Sequence, residues 1–300
     1  KRIALIGLGA MGVFFAPRLY EAFGDDFYII AGGERKKRLE SKGVTINGVN
    51  YRFPIVTPEE QGEPADLILI GVKGYGCVQA IDIRHQVGEH TLILSLLNGV
   101  DSEEQLIQAF GEEHVLYAYM RMSIVMKDGK ADFDPYWGKI HFGEKKNDVL
   151  SDRVLAVKEV FDHADIPYEI DPDMLKGLWF KYMCNIGENM TCALLGIPFG
   201  FFRISDSANW IRDNAMREVA AIAQKKGIDI GEKEIAEQDV TVKTIPPENK
   251  PSTLQDLEAE KLTEVEMFAG NVIKMGKELG VPTPINEMFY HGIRVMEEKF

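Results

Sequence analysis

The sequence predicts an α/β protein in which an N-terminal doubly wound parallel sheet is followed by a C-terminal all-α domain. Three observations carry this. In the first half, short β-branched apolar runs alternate with helical patterns, the rhythm of βαβ units that build a parallel sheet buried on both faces. A glycine motif, Gly7-Leu8-Gly9-Ala10-Met11-Gly12, stands between the first such run and the first helical pattern. From Met174 onward strand signals nearly vanish and long helical periodicities take over.

Taken in order, Ile3 to Leu8 reads as the first strand, and a helix carrying Val13, Phe14, Leu19 and Tyr20 follows the glycines. Phe27 to Ala31, Leu67 to Val72 and Thr91 to Leu97 read as further buried strands. Val115 to Met120 and Lys139 to Gly143 come next, then a helix over Val149 to Ala164 and a closing strand over Ile166 to Ile170. These set the domains at 1–171 and 172–300. Helices are expected in the second domain over Met174 to Leu195, Asp206 to Lys226, Leu254 to Glu260, Glu264 to Leu279 and Pro284 to Glu298. Thr241 to Pro251 is expected to be a loop, because Pro246, Pro247 and Pro251 remove donors and disfavour helix in the residues before them. Ser252 with Gln255, and Thr263 with Glu266, have the spacing of capping boxes.

A chain of 300 residues with 45% hydrophobic content suits two soluble domains at about 150 residues each. The net charge of −13 argues against general affinity for nucleic acid or an anionic membrane, since a polyphosphate footprint needs a dominant basic face. Cys77, Cys184 and Cys192 are odd in number and lack CxxC pairing, so reduced thiols and no metal site are expected. The opening apolar run is too short for a signal h-region, and no stretch of about 20 apolar residues offers a membrane span. A cytoplasmic enzyme is the expectation.

Each glycine of the motif has a task. The first permits a tight turn, the second lets backbone approach a pyrophosphate, and the third lets helix and strand pack closely, which is the Rossmann fingerprint. The diphosphate then lies on the positive helix N-terminus. After the second strand, where an acidic residue would bond the ribose 2′-hydroxyl, stand Gly32 and Gly33, followed by Glu34-Arg35-Lys36-Lys37-Arg38. That pattern favours NADPH over NADH, with Arg35 as first choice for the 2′-phosphate contact. The competing reading is the solvated face of the next helix.

Gly71-Val72-Lys73-Gly74 and Leu96-Leu97-Asn98-Gly99 follow two strands at their carboxyl ends, where open α/β sheets place ligands. Asn98 also suits a simple turn. In the apolar helix Leu178 to Asn189, the residues Lys181, Asn185 and either Glu188 or Asn189 repeat at helical spacing and so share one face. A lone lysine there would be a snorkelling surface residue. With its amides it reads as a polar stripe lining a cleft.

On these motifs the chain resembles the ketopantoate reductase (2-dehydropantoate 2-reductase) family over nearly its whole length. The resemblance rests on the glycine motif, on Trp179, Lys181, Asn185 and Asn189, on Ser252, Leu254, Gln255 and Asp256, on Thr263, Glu264 and Gly270, and on Gly280-Val281-Pro282-Thr283-Pro284. It implies NADPH-dependent reduction of ketopantoate to pantoate, with Lys181 as general acid at the keto oxygen and Glu264 on the substrate hydroxyl. It also implies that Asn98, Asn185, Asn189, Asn249 and Ser252 surround the substrate. Gly7, Leu8, Gly9, Ala10, Met11, Gly12, Arg35, Lys73 and Asn98 would hold NADP. The chemistry is consistent, because ketone reduction develops negative charge on oxygen that an ammonium stabilises.

Three positions depart from the family pattern. Phe199 stands where an asparagine contacts substrate, Met190 follows Asn189 where proline is frequent, and Glu188 adds a negative charge. They bear on substrate identity more than on reaction class. The alternatives are a paralogous NADP-dependent reductase of another 2-keto acid and a non-catalytic NADP-binding protein. Apolar helices around Phe199 to Phe202 and Met267 to Met275 read first as core and next as a homodimer surface.

Overall fold

The computed structural model describes residues 1–72 and 83–300, which fall into two compact units, Lys1–Met174 and Leu175–Phe300. The first unit contains β1 (Ile3–Ile6), β2 (Phe27–Ile30), β3 (Val44–Ile46), β4 (Val49–Tyr51), β5 (Ile55–Val56) and β6 (Leu67–Ile70). It continues with β7 (Leu92–Ser95), β8 (Val115–Arg121), β9 (Met126–Lys127), β10 (Lys130–Ala131), β11 (Lys139–Gly143) and β12 (Tyr168–Glu169). Its described α-helices are α1 (Gly12–Phe23), α2 (Gly33–Lys42), α3 (Ser102–Phe110) and α4 (Asp152–His163).

The main sheet runs β12-β11-β8-β7-β6-β1-β2-β5. From β8 to β5 every neighbour is parallel, and β11 then pairs antiparallel with β8. Chain order reverses between β1 and β6, so the crevice at their carboxyl ends is the switch point where doubly wound sheets bind ligands. Alternation along the strands builds both faces. Leu5, Ile29, Leu69 and Leu94 pack with Phe14 and Phe15 of α1 and Val157 and Phe161 of α4, while Ile6, Ile30, Ile68 and Ile93 pack with Leu106 of α3.

Two differences from the sequence expectations have clear causes. The buried strands are one to three residues shorter than their apolar runs, because the chain leaves the ladder before the loops at Leu8, Ala31, Val72 and Leu97. A second sheet, β4-β3-β10-β9, was not expected. Its two hairpins turn at Asn47-Gly48 and Asp128-Gly129, all four residues at positive φ, the conformation that two-residue hairpin turns favour.

The second unit is helical. It holds α5 (Met174–Cys184), a π-turn at Asn185–Asn189, α6 (Met190–Leu195), a 3-10 turn at Phe199–Arg203, α7 (Asp206–Lys225) and α8 (Glu232–Val242). There follow α9 (Ser252–Glu258), a second π-turn at Glu266–Gly270, α10 (Asn271–Leu279) and α11 (Pro284–Glu297). Helix α8 lies partly in the segment expected to be a loop, and only Ile235 and Val242 of it are buried, too few for a readable periodicity. No helix of the described residues is long and apolar enough to cross a membrane.

Candidate active site

In the first unit the candidate residues gather where β1, β6 and β7 end. Gly7 has φ +94°, and a Cβ there would lie 2.4 Å from both the Gly71 carbonyl carbon and the Val72 nitrogen. The Gly71 amide donates to the Ile6 carbonyl at 2.7 Å, which fixes that approach. A Cβ on Gly12 would lie 2.2 Å from the Gly7 carbonyl oxygen. The protein's own packing therefore demands both of these glycines. Gly9 is different, since a Cβ there would meet nothing within 4 Å among the described residues.

Gly9 thus leaves bare backbone beside the start of α1, which has no side-chain cap and no acidic residue in its first turn. This fits a diphosphate, which needs close backbone approach and the positive end of a helix. Asn98 is half-buried just beyond β7, next to Gly99 at φ +96°. The dipeptide lies in a bend that follows the carboxyl end of β7. Lys73 lies outside the described residues.

Arg35 is exposed in the first turn of α2, behind the N-cap Gly32. In the same helix Lys37 pairs with Glu34 at 3.0 Å and Lys36 with Glu40 at 3.9 Å. Among the described residues, Arg35 and Arg38 have no ion pair. Glu34 therefore engages a lysine and leaves the arginine to its side available.

In the second unit, the stripe begins on α5 and runs through the first π-turn. Lys181, Asn185 and Asn189 are half-buried, whereas every residue between them is buried. In a regular α-helix, positions four and eight apart drift by about 40° and 80° around the axis. The i→i+5 bonding of the π-turn at Asn185–Asn189 takes up more residues per turn, which offsets that drift for Asn189. Gly187 makes the turn fit, for a Cβ there would lie 2.5 Å from Met216 of α7.

Glu188, one of two candidates for the third place in the stripe, points elsewhere. Its carboxylate is buried and accepts hydrogen bonds from the Gln238 amide of α8 at 2.6 and 3.2 Å. Burial, with the Glu188 charge adding, pushes the Cys192 thiol up to about 12. Cys184 and Cys192 are both buried and unbridged.

The π-turn at 185–189 packs against α9, which starts at Ser252, and against the π-turn at 266–270, which follows Glu264. The Tyr182 hydroxyl, one residue from Lys181, donates to the Phe268 carbonyl at 2.7 Å and ties α5 to that second turn. The elements bearing Lys181, Asn185, Asn189, Ser252 and Glu264 thus meet in one region of this unit. Glu264 is half-buried, and Asn249 and Ser252 are exposed. The Asn249 carbonyl accepts from the Phe199 amide at 2.9 Å, linking its loop to the 3-10 turn.

Neither expected capping box forms completely. Pro251 occupies the cap of α9 and Ser252 is already helical, while the Gln255 side chain donates to the Lys250 carbonyl at 2.8 Å. Thr263 Oγ1 does accept from the Val265 amide at 3.2 Å, but Glu266 turns away to take the Tyr290 hydroxyl. Phe199 is half-buried against a core cluster with Phe202, Cys192 and Leu254. Met190 is fully buried.

Sequence reasoning missed one polar group in the first unit. His141, Glu169 and Asp171 bring potential ligand atoms within 4.8 Å of one another. His141 Nδ1 is bonded to Asp171 at 2.7 Å and Glu169 pairs with Lys139, while His141 Nε2 is buried without a hydrogen-bond partner among the described residues.

Comparison with known proteins gives a consistent result. A sequence model described as "Ketopantoate reductase PanE/ApbA" matches residues 3–147, and one for the C-terminal part of the same family matches residues 173–297. A 2-dehydropantoate 2-reductase of Streptococcus pyogenes is 24% identical, covering 98% of this chain and 97% of its own. A ternary structure of D-mandelate dehydrogenase with NADH and anilino(oxo)acetate superposes with a TM-score of 0.85 at 22% identity, covering 100% of this chain and 99% of its own. A dimeric ketopantoate reductase from Staphylococcus aureus gives 0.81 at 18% identity, covering 100% and 99%.

Proposed function

This chain belongs to the ketopantoate reductase family of oxidoreductases, and from that premise we propose that it reduces ketopantoate to pantoate with NADPH, using Lys181 as the general acid. The observation that carries the reading is the half-buried stripe of Lys181, Asn185 and Asn189, separated by buried residues and running from a helix into a π-turn.

The cofactor, when bound, supplies a hydride to the keto carbon. Gly7, Leu8, Gly9, Ala10, Met11 and Gly12 are assigned to its diphosphate, Arg35 to the 2′-phosphate, and Lys73 and Asn98 to the remainder. Lys181 Nζ carries the proton that the keto oxygen takes up, and its ammonium opposes the charge growing there. Asn185, Asn189, Asn249 and Ser252 orient the substrate through amide and hydroxyl bonds. The Glu264 carboxylate accepts from the substrate hydroxyl.

A second reading keeps the reaction and changes the acid. Phe199 directs an aromatic ring into a core cluster where the family pattern has an amide, and a D-mandelate dehydrogenase shares the fold, so a 2-keto acid with a larger apolar group is the alternative substrate. A cytoplasmic homodimer is the expected form, and sedimentation of the purified protein checks the dimer. The deciding experiment follows NADPH absorbance with purified protein and a panel of ketopantoate, 2-ketoisovalerate and aryl 2-oxo acids. Highest kcat/KM on ketopantoate is expected. A larger acid winning establishes the second reading, and NADPH binding without oxidation on any acid makes the chain a non-catalytic binding protein.

A further inference from the structure

One buried acid in the first unit takes no part in the chemistry above, yet it is wired to the loop that bears Asn98. Glu103, the second residue of α3, is 1% exposed. The Ser102 hydroxyl lies 3.1 Å from Glu103 Oε2, and Ser102 Oγ lies 2.8 Å from Ser95 Oγ at the end of β7. Ser95 Oγ in turn accepts the Leu97 amide at 3.3 Å. Ser95 and Ser102 are themselves buried, so water does not compete along this path. The path joins one carboxyl group to the Leu96–Leu97 peptide, whose N–H is that of the residue before Asn98.

We propose that Glu103 is a positioning residue that sets the loop Leu96 to Asp101, and with it Asn98, through the hydroxyls of Ser102 and Ser95. The role of Asn98 rests on the functional reading above; the coupling of Glu103 to the loop does not. With Glu103 ionised, every group donates toward the charge: Leu97 N–H to Ser95, Ser95 O–H to Ser102, Ser102 O–H to Glu103. With a proton on Oε2 the direction reverses. The carboxyl then donates to Ser102 and Ser102 to Ser95, so the Ser95 hydrogen loses its acceptor while Ser95 still receives the Leu97 amide. A buried group left unmatched in this way is costly, and the loop is where the strain is relieved.

The switch falls in a useful range. Burial, with the charge of Asp101 adding, pushes the Glu103 carboxyl up to about 7, against the opposing pull of the Ser102 hydroxyl and the Glu103 and Ala118 amides. Glu104 stands beside it on α3, and Tyr117 on β8 is itself pushed up to about 12 by burial and by the charges of Glu103, Glu104 and Glu112. The 3-10 turn Glu112–His114, packed against α3, adds Glu113 and His114, whose ring is bonded to the Thr91 carbonyl at 2.8 Å. The loop therefore takes its ionised arrangement above neutrality and its reversed one below.

The test uses the full-length protein labelled with 15N-leucine, titrated from about pH 5.5 to 8.5. The Leu97 amide signal is expected to move with a midpoint near 7 in the wild type. In Glu103→Gln, whose carbonyl accepts from Ser102 at every pH, that movement is lost. Ser95→Ala cuts the chain at its middle and guards against a variant that fails to fold: there the Leu97 amide stops titrating while the infrared carboxyl band of Glu103 still does. A Leu97 amide that holds still in the wild type, or moves identically in both variants, overturns the proposal. With ketopantoate and NADPH, wild-type kcat/KM falls below the same midpoint and the Glu103→Gln profile loses that limb. An amide that titrates as described in a protein that oxidises no NADPH sinks the assigned reaction and leaves the coupling standing.

Discussion

The two units expose polar groups by opposite devices. The first removes side chains: Gly7 and Gly12 let backbone pack on backbone, and Gly9 leaves a bare surface at the start of α1. The second keeps its side chains and changes the helix, with a π-turn between Asn185 and Asn189 that offsets the drift of an α-helical face. Bare backbone suits a ligand recognised by its charge and shape, whereas a row of donors suits one whose reacting atom must be met at a defined point. On the proposed function, cofactor affinity belongs to the first unit and turnover to the second, and each substitution below tests that division.

The largest effect is expected for Lys181→Ala. Loss of one donor aimed at a developing oxyanion costs about 3 to 4 kcal/mol, so kcat should fall by roughly two to three orders of magnitude. NADPH dissociation, measured by fluorescence, should stay within about twofold. A large loss of NADPH affinity in this variant would break the division, because it would make the stripe part of the cofactor site.

Smaller effects separate the glycines. A methyl at Gly12 would press on the Gly7 carbonyl oxygen, and overpacking of this kind costs about 1 to 3 kcal/mol, so Gly12→Ala should lower the melting temperature by several degrees. Gly9→Ala meets no atom of the described residues beyond its chain neighbours within 4 Å. It should melt with the wild type and still lose about tenfold in NADPH affinity, because the methyl fills the space meant for the diphosphate. Equal melting shifts for the two would refute the separate roles of the two glycines.

Much of the first unit was legible in the sequence because its signals are local. A β-branched run, a glycine turn and a following helix specify strand, loop and capless helix start one after another. The hairpins at Asn47-Gly48 and Asp128-Gly129 carry an equally local signal in their turn dipeptides. In the second unit the spacing of Lys181 and Asn185 indicated a shared face. It did not separate Glu188 from Asn189, since an α-turn and a π-turn differ by one residue and the sequence has no rule for where that residue goes. The partner that removes Glu188 from the stripe, Gln238, is 50 positions away on a helix with almost no periodicity. Glu103 was hidden for a similar reason: an acid in the first turn of a helix reads as a complement to the dipole, and nothing nearby in the chain announces that it is buried.

The smallest effect is the one that sharpens the cofactor assignment. Arg35 is exposed, so a charge pair with the 2′-phosphate is screened by solvent and contributes about 1 kcal/mol, or roughly fivefold in affinity. Arg35→Ala should therefore raise the KM for NADPH by about that factor and leave the KM for NADH unchanged. Lys37→Ala is the control, because that ammonium already has Glu34 at 3.0 Å, and a weaker response is expected from it. Glu34→Ala should act in the opposite sense, removing a carboxylate near the phosphate and releasing Lys37, and so lower the KM for NADPH slightly. If Arg35→Ala shifts both coenzymes equally, the basic run is only the solvated face of α2 and the preference for NADPH has to come from another residue.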